Sequence, residues 1–418
     1  MNVQVDRHAH VTTRSLPARG DGTRVLRRVV TLSLLAGLLV VSAGRATACP
    51  PVDPISQRQG EDPKPADRAP QVSIALLLDT SNSMDGLIGQ AKAQLWSVVN
   101  RFRNCRRDGK MPELRIALYE YGNNKLPESE GHIRMVSAFT TDLDSLSEKL
   151  FGLQTDGGNE FCGHVIDRAT RELSWGTCPG DLNLIFIAGN EPFTQGNVAY
   201  ADAIASSVRG SIRINTIHCG TYQEGVDGKW RDGATLGRGA YSVIDQSSDV
   251  RYISTPYDDE ISRLGTEVND TYIPYGSRGE EARVRQSMMD AAPKAMPGSA
   301  GVAASVERSV AKNSAAYVNT HWDLVDALDK GSVKLESLAE AELPDAMRKL
   351  SREKQVEFVE AKRGRRLEIN RRVAELQLKR EQFLKEQAPK GADTTLGAAL
   401  LAAIDSQARE AGWTFETK

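Results

Sequence analysis

A chain of 418 residues with 53 Lys and Arg against 55 Asp and Glu is long enough for two or three domains and carries a formal net charge of -2. Its composition is close to the globular average, and the charge balance gives no electrostatic case for nucleic acid as a partner. Function has to be argued from local sites. Arg24, Arg27 and Arg28 precede the uncharged apolar run Val29 to Ala43, which is too short for a comfortable membrane span. Residues 1–48 therefore read as a signal peptide. Ala46-Thr47-Ala48 supplies the small residues of a cleavage site, and Cys49 follows at once. Two endings stay open: cleavage after Ala48, giving a soluble exported product, or lipidation of Cys49, giving a membrane anchor. Either way the product belongs to the periplasm or the cell envelope.

Residues 49–70 contain six prolines and almost no large apolar side chain, the composition of a linker. From Gln71 strands and helices alternate. Val72 to Leu78 is a nearly continuous apolar run, as in a parallel strand buried on both faces. Leu87, Ile88, Ala91, Leu95, Val98, Val99 and Phe102 then recur at helical steps. Leu114 to Tyr121 and His132 to Ser137 read as an antiparallel hairpin at an edge. A helix follows with Cys162, Val165, Ile166, Ala169 and Leu173 on one stripe. Next come a strand from Leu182 to Ala188, a helix from about Asn197 to Val208, and strands at Ile212 to Cys219 and Ala240 to Ile244. The pattern predicts a doubly wound, mostly parallel α/β sheet over residues 71–256, with ligands at the carboxyl ends of its strands. Residues 257–310, rich in Gly, Ala, Ser and charge, read as a partly disordered connector. Residues 311–418 read as a mainly α-helical C-terminal region with a long charged helix over about 344–387, in which Ile369, Val373, Leu376 and Phe383 hint at a coiled-coil seam that Arg380 interrupts.

Asp79-Thr80-Ser81-Asn82-Ser83 sits between the first strand and the first helix, at the carboxyl edge of the sheet. One carboxylate and two hydroxyls at single-residue spacing can face one point and offer hard oxygens to Mg²⁺ or Mn²⁺. A bare D-x-S-x-S would more often cap the following helix. Its place after a seven-residue apolar strand favours the cation. On these residues the stretch from Val72 to Phe102 resembles the first strand, metal-ion-dependent adhesion site (MIDAS) loop and first helix of the von Willebrand factor A (VWA) family. The resemblance runs to about Pro256. It implies two further ligand loops, and there the sequence departs from the family. Gly157-Gly158 is followed by Asn159-Glu160 where the family has Thr. The fourth strand ends in Ala188-Gly189-Asn190-Glu191 where the family has Thr-Asp-Gly, so the expected Asp falls on Gly189. Asp79, Ser81 and Ser83, with Asn159, Glu160, Asn190 and Glu191, are therefore the candidate metal ligands. The resemblance further implies that the ion binds an acidic side chain of a protein partner, without catalysis. The alternative is a scaffold protein with a degenerate, metal-free VWA domain.

No general base accompanies the loop, and His164 beside Glu160 and Cys162 reads as packing, so no enzyme is expected. His218 and Cys219 could be drawn with His164 and Cys162 as a zinc site, but an exported chain favours a disulfide. The topology predicts two bridges. Cys162 and Cys219 share the carboxyl edge of the sheet, and Cys105 and Cys178 share the opposite one.

Overall fold

Strand β1 (Gln71–Asp79) is buried along nearly its whole length, and its side chains alternate between two cores. Val72, Ile74, Leu76 and Leu78 face one, Ala75 and Leu77 the other, the period of two that a pleated strand imposes. The computed structural model describes residues 68–248, 250, 252–387 and 395–415. The expected signal peptide, Cys49 and the linker up to residue 67 lie outside the described residues.

The chain continues through α1 (Asp85–Arg101), the two-residue strand β2 (Cys105–Arg106), β3 (Glu113–Tyr121), β4 (Ile133–Thr140), α2 (Leu143–Phe151), α3 (Cys162–Glu172), β5 (Leu182–Gly189) and α4 (Tyr200–Arg209). It then forms β6 (Ile212–Cys219), α5 (Tyr222–Asp227), α6 (Trp230–Leu236) and β7 (Arg238–Ile244). The main sheet has the order β4-β3-β1-β5-β6-β7. Only the β3–β4 pairing is antiparallel, so the expected doubly wound sheet with an edge hairpin is present. Asp79, Gly189 and Cys219 all end strands at the carboxyl edge.

The segment expected as a connector is largely helical: α7 (Asp258–Glu267), α8 (Gly279–Ala291) and α9 (Gly298–Lys312). Small side chains misled the composition argument, because Gly301, Ala304 and Ala311 let α9 lie close on its neighbours and are themselves buried. Beyond it come α10 (Leu324–Asp329), α11 (Asp345–Arg348), α12 (Arg352–Gln387), α13 (Leu396–Glu410) and the short strand β8 (Thr414–Phe415).

Residue 256 is not a structural boundary. Leu396, Leu400, Ala403, Ile404, Ala408 and Trp413 join the same apolar core as Leu76, Leu95, Phe186 and Ile217. α13 thus lies over the sheet beside α1, and β8 pairs antiparallel with β2, Cys105 opposite Phe415. The 36-residue α12 is not one strand of a coiled coil. Its seam of Val359, Arg366, Ile369, Val373, Leu376 and Arg380 is buried on the rest of the chain. Arg380 fits that seam because Asp258 and Glu307 accept its guanidinium at 2.9 and 2.7 Å. Among the described residues no helix is long and apolar enough to cross a membrane.

Neither predicted disulfide forms, since Cys105, Cys162 and Cys219 are free, buried thiols. Cys162 packs in the core beneath α3 and α4, whereas Cys219 packs in the core beneath α1 and α13, so the sheet itself separates them. The zinc site drawn from both cysteines is excluded by the same separation. Cys105 is enclosed under β8, and burial pushes its thiol up to about 12.

Candidate functional site

Three loops at the carboxyl edge build the site. In the first, Asp79 is fully buried, and its Oδ1 accepts the Ser81 backbone N–H at 2.7 Å. The Ser81 and Ser83 hydroxyls lie 3.3 Å apart, Ser81 buried and Ser83 exposed. The loop is pinned from below, where Thr80 N–H donates to Tyr121 O at 2.9 Å and Asp156 N–H to Thr80 O at 2.9 Å.

The second loop brings Glu160 against Asp79. A Cβ on Gly122 would meet Glu160 Cγ at 2.7 Å and Asp79 Oδ1 at 2.9 Å, so both side chains crowd the space that glycine leaves free. Burial pushes the Glu160 carboxyl up to about 9, reinforced by the neighbouring Asp79 carboxyl. Burial likewise raises Asp79. Two buried carboxyls in contact cannot both ionise cheaply, so a proton or a cation must sit between them. Adjacent Asn159 is exposed, so of this expected pair only Glu160 enters the site.

The third loop places Asn190 beside the hydroxyls, its amide donating to Ser83 Oγ at 3.2 Å. Glu191 does not reach the cluster: its carboxylate accepts from Gln195 at 3.0 Å, and its influence is a charge that raises Asp79 and Glu160. Gln195 also accepts the Glu160 backbone N–H at 3.2 Å and so ties the second loop to the third. No motif marked it in the sequence. Gly189 stands where the family has Asp because there is no room for a side chain. A Cβ there would lie 2.5 Å from Tyr121 Oη and 3.0 Å from Asp79 Oδ2. Tyr121 fills the space and donates its hydroxyl to Ala188 O at 3.0 Å.

Asp79 Oδ2, Glu160 Oε2 and Asn190 Oδ1, one atom from each loop, are buried with no hydrogen-bond partner. Such oxygens cost on the order of 1–3 kcal/mol each unless something satisfies them. With the hydroxyls of Ser81 and Ser83 they form a hard-oxygen donor set, and the exposed side of Ser83 leaves an approach from solvent.

No family model and no curated protein sequence matches the chain. Among solved structures it is similar to the conserved protein BatB from Bacteroides thetaiotaomicron, at 17% identity over 42% of this chain and 91% of that one, with a TM-score of 0.32. A von Willebrand factor type A protein from Catenulispora acidiphila matches at 18% identity over 43% of this chain and 40% of that one, TM-score 0.32. Proximal thread matrix protein 1 from the mussel byssus, in a form with a zinc-occupied MIDAS motif, matches at 11% identity over 42% of each chain, TM-score 0.31. The α/β unit from β1 to β7 is a doubly wound sheet, parallel except for its edge strand β4. Within that unit, the donor set above spans the loop after β1, the loop before α3 and the loop after β5.

Proposed function

We propose that this chain is a non-enzymatic, exported binding protein of the cell envelope. Its VWA unit holds Mg²⁺ or Mn²⁺ at the Asp79 loop and presents the ion to an acidic side chain of a protein partner. The carrying observation is the trio of partnerless buried oxygens, Asp79 Oδ2, Glu160 Oε2 and Asn190 Oδ1, around the Ser81 and Ser83 hydroxyls. Asp79, Glu160, Ser81, Ser83 and Asn190 would hold the ion. When bound, it supplies an electrophilic centre that favours a carboxylate. Relative to the family pattern the second acid has moved from position 189 to position 160, so the donor set keeps two carboxyls.

Calorimetry on the full mature chain, stripped with EDTA, tests this. Wild type is expected to give heat with millimolar Mg²⁺ or Mn²⁺ and a melting temperature that rises with ion concentration, as for any ligand of the native state alone. Asp79→Ala is expected to lose both responses. No response in wild type, or an equal one in Asp79→Ala, overturns the cation reading. The second reading, a metal-free scaffold, is favoured by the direct Asp79–Glu160 contact, which one shared proton can satisfy without an ion.

A further inference from the structure

Next to the cation loop, at the same edge of the sheet, lies a pocket of about 540 Å³ lined by Asn190, Pro192, His218, Glu224, Asp227 and Gly228, among others. His218, one of its lining residues, is only 3% exposed, and both of its ring nitrogens are buried without a partner. A buried imidazole normally has its nitrogens satisfied, so two orphans in a pocket wall mark a place that a ligand can complete. The Glu224 carboxylate lies on the Nε2 side of the ring. The point where a Gly220 Cβ would stand is 2.7 Å from His218 Nε2 and 3.2 Å from Glu224 Oε2. A carboxylate on that side favours the proton on Nε2 and leaves Nδ1 as an acceptor. Burial also lowers the His218 pKa, which keeps the ring neutral at neutral pH.

The rest of the lining is rich in acceptors and negative charge. Glu224 and Asp227 are exposed carboxylates at the start and end of α5, and no Lys or Arg lines the pocket. Glu224 is fixed in place, accepting the Thr221 backbone N–H at 2.9 Å and its hydroxyl at 2.7 Å. Asp227 accepts the Gln223 amide at 2.8 Å. An anion would meet two carboxylates and a neutral ring with one N–H, whereas a group that only donates would meet the Glu224 and Asp227 carboxylates and the acceptor nitrogen of His218.

We propose that this pocket takes a cationic side chain of the protein partner, a guanidinium above all, beside the acidic one held at the cation loop. The planar, multiply donating guanidinium suits several acceptors at fixed positions better than an ammonium does. Asn190 lies between the two sites, lining the pocket while donating to Ser83. The assignment deepens the cation-site reading but does not need the ion, because none of His218, Glu224 and Asp227 belongs to the donor set around Asp79.

The probe is N-acetyl-arginine amide, titrated into the mature chain carrying labelled histidine while the His218 ring signals are followed by NMR and assigned with His218→Gln. Saturable movement of those signals at millimolar probe, in EDTA as well as in Mg²⁺, is expected. Glu224→Gln with Asp227→Asn, both at exposed positions, is expected to weaken the apparent affinity at least about tenfold. N-acetyl-norleucine amide is expected to leave the signals in place. Unmoved His218 signals, an equal response to norleucine amide, an equal affinity in the double variant, or a response to N-acetyl-aspartate amide instead overturns the assignment. Because the EDTA titration contains no divalent ion, its outcome is separate from that of the calorimetric test.

Discussion

Tyr121 decides which residues can reach the Asp79 loop. Its hydroxyl occupies the space in which a side chain at 189 would stand, so the acidic partner of Asp79 comes from Glu160 instead. Forcing a methyl group into that space should cost about 1–3 kcal/mol, as overpacking does elsewhere. Gly189→Ala is therefore expected to lower the midpoint of chemical denaturation, and adding Tyr121→Phe is expected to recover part of the loss. Additive losses in the double variant would show that the clash is not the cause. At this scale the sequence was partly legible. Asp79, Ser81 and Ser83 were readable because strand, loop and helix are contiguous there. The choice of Glu160 over Asn159 was not, since neighbouring residues point to opposite sides and only the path of the backbone selects one. Gln195 carries no motif, and its role depends on two loops meeting in space.

Among the elements, α12 shows how a charged helix can be buried along one side. Arg366 donates to Asp323 at 2.6 and 3.2 Å, to Asp326 at 2.8 Å, and to the hydroxyl and carbonyl of Thr271 at 3.0 and 2.8 Å. Its guanidinium also lies 4.2 Å from the centre of the Tyr272 ring. Asp323 is fully buried, so Arg366→Ala would strand a charge and should destabilise by about 3–5 kcal/mol. Asp345→Ala, which breaks an exposed pair with Arg348, should cost only about 0–1 kcal/mol. Equal effects in denaturation curves would refute the seam. The same cluster predicts a pH effect. Burial, then the Asp323 charge, pushes the Asp326 carboxyl from 3.8 up to about 6. The folded state therefore binds the proton more tightly than the unfolded one. This contribution to stability is complete below about pH 4 and is lost as pH rises through about 6. Asp326→Asn should flatten that part of the stability profile, and an unchanged slope would contradict the assignment. The apolar strands β1, β5 and β6 were readable from their uninterrupted runs. α7 to α9 were not. α7 carries Ile261 and Leu264, with Val268 just beyond its end, at helical spacing, a stripe too short to stand out, whereas Ala, Gly and buried ion pairs such as Arg308 with Asp144 help hold α8 and α9 in place and give little apolar periodicity.

At the level of the whole molecule, the α/β unit is completed by α13. Leu76, Leu78, Phe186, Ala188 and Ile217 of the sheet line a small apolar cavity with Leu396 and Leu400 of α13. Within the same core cluster Asn215 is buried and exchanges hydrogen bonds with Gln407. Ending the chain at Lys390 would remove four large buried side chains, Leu396, Leu400, Ile404 and Trp413. At about 1.5–3 kcal/mol each, the loss is on the order of 6–12 kcal/mol. A typical domain has only about 5–15 kcal/mol in total. The truncated chain, and equally residues 71–256 alone, should therefore fail to fold stably. The intact mature chain should unfold in one transition that includes both Trp96 of α1 and Trp413 after α13, since the two share a core. Hydrogen exchange of the α1 and α13 backbone amides, followed through denaturation of the unsubstituted chain, measures this. Coincident midpoints are expected. Separate midpoints, or a cooperative transition of native-like stability in residues 71–256, would show that the α/β unit stands without its C-terminal helix.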